Sequence, residues 1–206
     1  DQFSEKLNTL GDLFLLNAYS DQFIWQDWRF GYEYNIKEKV NRLGNSQFYL
    51  NSVFDLAGNI LSLFKGLQDT TAAGQSAIGG VGYSQFVRLD NELIYAKPLG
   101  RERSVNLRFQ GGAGLPYGNT KTSLPYDYSF FAGGANDNRG WRARGLGPGS
   151  YKYYLDTNRT ATQIGDIRLG VSAEYRFAIN TFFKGALFVD AGNVWNIFDD
   201  IEDSEF

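Results

Sequence analysis

The stretch Gly165–Phe177, GDIRLGVSAEYRF, places Ile167, Leu169, Val171, Tyr175 and Phe177 at alternate positions. Asp166, Arg168, Glu174 and Arg176 occupy the positions between them. A period of two marks a β-strand with unlike faces, because successive side chains leave opposite sides of the pleat. The stretch is also long. Soluble strands usually run about five or six residues. A strand of about ten, tilted by about 45°, crosses the hydrocarbon core of a bilayer.

The pattern recurs along the chain. Trp28, Phe30, Tyr32 and Tyr34 oppose Asp27, Arg29, Glu33 and Asn35. Phe48, Leu50, Phe54 and Leu56 oppose Gln47, Asn51 and Asp55. Val87, Leu89, Leu93 and Tyr95 oppose Arg88, Asp90 and Glu92, and Val105, Leu107, Phe109, Ala113 and Leu115 oppose Asn106, Arg108 and Gln110. A sixth run, FKGALFVDAGNVW (183–195), alternates less cleanly. Six strands of this length fit two folds. A soluble sandwich would turn the charged face to water, whereas a membrane barrel would turn it into a wet lumen and give the apolar face to lipid.

The connections favour the barrel. They alternate short and long, at about 36–45, 59–82, 97–102, 116–162 and 179–182. Outer-membrane barrels have short turns on one side and long loops on the other. Trp25, Trp28 and Trp195 fall where strands meet long loops, as an interfacial girdle would. The first segment differs: Phe3, Leu7, Leu10 and Phe14 are spaced at three and four residues. That spacing predicts a short amphipathic helix within residues 1–20, in an external loop. The acidic DDIEDSEF (199–206) does not alternate and reads as part of another external loop.

Composition narrows the chemistry. The 206 residues carry a net charge of −3 and show no basic stripe, so no nucleic-acid partner is expected. There is neither Cys nor His, which removes the usual thiolate and imidazole ligands and the commonest general base. No Gly-x-Ser-x-Gly elbow is present. No enzyme activity, metal or cofactor is expected. No apolar run approaches the roughly 20 residues of a membrane helix, which leaves a β-barrel open. Six strands cannot close such a barrel, whose smallest bacterial form has about eight. Open edges are not tolerated in lipid, so the chain is expected to be one part of a larger barrel.

The long loop contains AGGANDNRGWRARGLGPGSY (132–151). Its glycines permit tight turns and close approach. A guanidinium is a planar donor fork suited to paired carboxylates. Glu174 and Asp190, on the polar faces of the next two strands, offer such a pair to Arg139 if the loop folds into the lumen. A solvated external loop, its arginines free or on lipopolysaccharide phosphates, fits these residues equally well. GLGPG (145–149) reads as the hinge that returns the chain to the wall, and Arg142 and Arg144 acquire no role.

FFAGGANDNRGWRARGLGPGSY (130–151), followed by GDIRLGVSAEYRF and GALFVDAGNVW, resembles the BamA/TamA superfamily of outer-membrane assembly barrels, in its bacterial surface antigen domain, on the TamA-like side. The resemblance spans the chain and is strongest over about 130–195. It implies an all-β, antiparallel transmembrane barrel of 16 strands, of which residues 1–206 supply about six, strands eight to thirteen. It also implies that the loop at 116–162 folds into the lumen. The family motif there is an apolar residue followed by Arg-Gly and Phe or Tyr, its Arg paired with a Glu and an Asp on the following strands. Carried over, these are Arg139, Gly140 and Trp141 on the loop and Glu174 and Asp190 on the wall. Asn138 departs from the apolar position and Trp141 from the smaller aromatic.

The implied function is insertion and folding of β-barrel proteins into the outer membrane of a Gram-negative bacterium. A lateral seam would open and a client strand would add by β-augmentation. The implied partners are outer-membrane lipid and lipopolysaccharide, unfolded β-barrel clients, and periplasmic or lipoprotein accessory subunits. N-terminal POTRA repeats would accompany such a barrel. A two-partner-type secretion transporter of the same superfamily and a passive outer-membrane channel are the alternatives.

Overall fold

The computed structural model describes residues 18, 22–38, 46–71, 74–100, 102–120, 123–150 and 163–197. Of the helix expected within 1–20 the structure describes Ala18, which is α-helical; the rest of it, the acidic 199–206 and the part of the long loop at 151–162 lie outside the described residues.

The long strands are β1 (Gln26–Glu38), β2 (Ser46–Ala57), β6 (Phe86–Gly100), β7 (Arg103–Pro116), β8 (Ile167–Ala178) and β9 (Lys184–Trp195). They form one antiparallel sheet in the order β1-β2-β6-β7-β8-β9. Every long-strand pair is thus a sequence neighbour once the excursion between β2 and β6 is set aside. A strand of 12 residues is about 40 Å long and, tilted at about 45°, spans about 28 Å, the thickness of a hydrocarbon core. Neither β1 nor β9 has a second neighbour among the described residues.

Register keeps the two faces separate across all six strands. Phe30, Phe54, Leu89, Ala113 and Ile167 lie in one cross-strand row of the apolar face, and Arg29, Asp55, Arg88 and Gly114 in one of the polar face. A one-residue slip would put the charges into lipid, so burial of one face in each medium pins the register. The apolar face is uncovered: Val189 is 72% and Trp28 68% exposed. The polar face carries the buried residues of the molecule, because the long loops fold over it.

The connection between β2 and β6 holds more structure than a plain loop. Helix α1 (Asn59–Leu63) follows β2 directly, and β3 (Asp69–Thr70), β4 (Ser76–Ile78) and β5 (Val81–Gly82) form a separate three-stranded sheet. A 3-10 turn (Lys65–Leu67) continues the chain from α1 towards β3. Asp27, assigned by alternation to the polar face, sits at a bulge between Gln26 and Trp28. Its carboxylate accepts the backbone N–H groups of Asn59 and Ile60 and so caps the start of α1. An extra residue in a strand re-aims its side chain, which is why the alternation misplaces this one.

Candidate functional site

The long loop after β7 lies against the polar face, and glycines on that face make room for it. A Cβ on Gly112 would strike the Phe130 ring, and one on Gly114 the Leu124 side chain. A Cβ on Gly192 would lie 2.8 Å from Asn138 Nδ2 and from the Leu169 carbonyl oxygen. These glycines form a shallow bed. Phe130 and Leu124 settle into it almost fully buried, and each such burial is worth roughly 1.5–3 kcal/mol. Phe130 packs with Ala132, Val194 and Leu146, while Leu124 packs with Ala57 and Phe86. Reciprocal backbone hydrogen bonds between Phe130 and Gly165, 2.8 and 2.9 Å, stitch the loop to the residue that leads into β8.

The tip is a tight turn. Gly133 and Gly134 have φ of 97° and 114°, the left-handed region that favours glycine. The Gly133 N–H donates to Asp137 Oδ2 at 2.8 Å, and the Gly134 N–H to the Trp141 carbonyl at 2.9 Å. This geometry carries Arg139 to β8 and β9. Its Nε and Nη2 donate to the two oxygens of Asp190 at 2.7 and 2.8 Å, a bidentate fork. Its Nη1 donates to Glu174 Oε2, and its backbone N–H to Asp190 at 3.2 Å. The guanidinium also lies 3.6 Å from the ring centroid of Phe188, which pairs with Glu174 across β8 and β9. Hydrogen bonding to Asp190, first, and to Glu174 holds the guanidinium well above its ordinary pKa, so it stays protonated throughout the working range. Arg176 closes the far side of Glu174.

The structure thus brings Arg139, Glu174 and Asp190 together. It gives Gly140 no comparable demand: its φ is ordinary, and a Cβ there would meet nothing within 4 Å. Trp141 is 40% exposed and contributes its backbone to the turn. Asn138 is buried at the tip, and its Nδ2 has no hydrogen-bond partner among the described residues. The residues after Trp141 return to β9, where the Gly149 N–H donates to the Val194 carbonyl at 2.8 Å and Asn193 Nδ2 to the Gly149 carbonyl at 2.6 Å. Arg144 lies 4.6 Å from the Tyr126 ring centroid and 4.7 Å from that of Phe131, so its role is a cation–π clasp within the loop.

Two further charged sets lie on the same face. Arg88 joins Asp55 at 3.2 Å and Asp90 at 2.8 Å, and Arg168 reaches Asp90 from β8 at 3.1 Å. The Arg88 and Arg168 guanidinium groups lie 4.3 and 5.6 Å from the Phe130 ring centroid. Nearer the tip, Arg108 pairs with Glu92 at 2.6 Å and donates to the Asn136 carbonyl. Sequence reading missed Phe188 and Phe130 as partners of these arginines. The signal for Phe188 was its parity: it shares the polar face with Asp190, and this is why the sixth run alternates poorly.

A sheet of bilayer-spanning length, apolar on one face and charged on the other, with a loop fastened over its charged face, defines a wall of the outer-membrane β-barrel type. The family model described as the Omp85 superfamily domain matches residues 17–204. The chain belongs to that superfamily, whose members are outer-membrane β-barrel proteins.

Proposed function

We propose that the protein is an outer-membrane assembly factor that inserts and folds other β-barrel proteins, through a lateral seam formed by strands outside this chain. The observation that carries the reading is the Arg139 tie to Asp190 and Glu174, which fixes the loop over the polar face. A loop held there by a bidentate fork and a bed of glycines suits a wall kept rigid while another part of the barrel opens. It suits an open conduit poorly, because the loop occupies the path. The partners of this reading are unfolded β-barrel clients, outer-membrane lipid and lipopolysaccharide, and periplasmic or lipoprotein accessory subunits.

The test is reconstitution of the full-length protein into vesicles with a urea-unfolded β-barrel client, read as the protease-protected, heat-modifiable fraction. Accelerated folding by the intact protein, lost or strongly reduced in Arg139→Ala, is the expected result. No acceleration by the intact protein, together with loss of a large extracellular protein when cells are depleted of it, assigns it instead to the secretion branch. Large steady conductance of the intact protein in planar bilayers would assign a passive channel.

A further inference from the structure

The turn between β8 and β9 is unlike its neighbour at the same end of the sheet. The turn between β6 and β7 reads Gly-Arg-Glu-Arg (100–103), whereas the later one reads Ile-Asn-Thr-Phe-Phe (179–183). Phe182 is 90% exposed, Phe183 66% and Ile179 65%. They are held out by a defined turn. Asn180 Oδ1 accepts the N–H groups of Phe182 and Phe183, both at 2.9 Å, and the Phe183 carbonyl accepts the N–H of Ile179 at 2.9 Å. A turn meant for water alone would gain nothing from presenting two phenyl rings on a fixed backbone.

The patch is continuous with the membrane-facing surface. A Cβ on Gly185 would lie 2.8 Å from Phe177 and 3.4 Å from Ile179 Cδ1, so both side chains lie over Gly185 on the apolar face. Tyr175 stacks on Phe177 with centroids 5.7 Å apart, extending the same apolar column upward. A cation flanks it on the same face: Arg103 pairs with Phe177 across the sheet and is exposed. Aromatic rings beside an exposed cation match the boundary between acyl chains and phosphate headgroups.

We propose that the β8–β9 turn is a membrane anchor, seated in the headgroup–acyl boundary of the phospholipid leaflet at the short-turn end. Phe182 and Phe183 enter the leaflet, and Arg103 meets its phosphates. The neighbouring turn, at Glu102, stays in water, so the rim of the barrel sits unevenly in the leaflet, deepest at this hairpin.

The chain has no cysteine of its own, so Phe182→Cys and Glu102→Cys each accept a single nitroxide label in this region. The full-length protein is reconstituted into vesicles of phosphatidylethanolamine and phosphatidylglycerol. Spin relaxation is then measured with oxygen, which concentrates in lipid, and with a water-soluble nickel chelate. The expected result is a label at 182 relaxed several-fold more by oxygen than by the chelate, with the order reversed at 102. Chelate-dominated relaxation at 182 overturns the proposal. So does protection of 182 from both agents, which would show that a protein surface covers the turn.

Discussion

Arg139 is held by geometry as much as by charge. Asp190 takes two parallel donors and Glu174 a third, an arrangement a planar fork satisfies and an ammonium cannot. Asp190 and Glu174 side chains are 6% and 14% exposed, so removing the cation leaves two nearly buried carboxylates facing each other. Breaking one side of such a pair costs about 3–5 kcal/mol in a dry interior and less beside lumen water. Arg139→Lys is therefore expected to recover only part of the stability lost in Arg139→Ala, measured as the temperature at which heat-modifiable mobility is lost. Equal stability of the lysine variant and the native protein would show that charge alone matters. The glycines separate in the same way. Gly112→Val drives a side chain into the Phe130 ring and is expected to cost several kcal/mol, as overpacking does at its upper range. Gly140→Ala meets nothing and is expected to fall within about 0.5 kcal/mol of the native protein. The reverse ranking in the same melting assay would place the demanding glycine in the motif and not in the wall.

The elements divide into those that alternation specifies and those that contacts specify. The six long strands are legible because each borders two unlike media along its whole length, and the period of two follows. Helix α1 and strands β3 to β5 have no such imprint. They have two to five residues each and owe their place to distant side chains. Asn119 alone bonds the backbone of Ser76 in both directions and the Tyr83 carbonyl. Gly112 and Gly114 were legible as strand residues but not as a bed, because the Phe130 and Leu124 that fill it arrive from 10 or more residues later. The Arg139 constellation was legible through resemblance, since spacing alone left an external solvated loop equally open. Asp27 gives the elements a test. Helix capping is worth about 0.5–2 kcal/mol, and loss of a cap raises local opening by roughly that factor. Asp27→Ala is expected to speed tryptic cleavage after the exposed Lys65 about fivefold, for a loss of about 1 kcal/mol, with the rest of the barrel resistant. An unchanged cleavage rate would mean that α1 is held by its other contacts.

At the scale of the molecule, the sheet and the loop over it are joined at Asp166, which precedes β8 at the outer rim. Its backbone receives the Gly114 N–H at 2.8 Å and donates to the Trp195 carbonyl at 2.9 Å, linking the ends of β7 and β9. Its carboxylate accepts the N–H of Leu124, at the base of the loop, and of Ile197, beyond β9, each at 3.2 Å. The residue is fully buried, and burial pushes its carboxyl up to about 6 from the ordinary 3.8, against the opposing pull of those two N–H groups. Between these values the folded protein binds a proton that the unfolded chain does not. This group's contribution to stability therefore falls as pH rises from about 4 to about 6, and is level above that. A shift of this size corresponds to on the order of 2–3 kcal/mol across the window. Asp166→Asn is neutral at every pH and keeps an oxygen acceptor, so the difference in melting temperature, native minus variant, should be larger at pH 4.5 than at pH 7. A difference that stays constant, or grows with pH, would mean that the carboxylate is stabilised at the rim as an anion and that the two N–H bonds outweigh its burial.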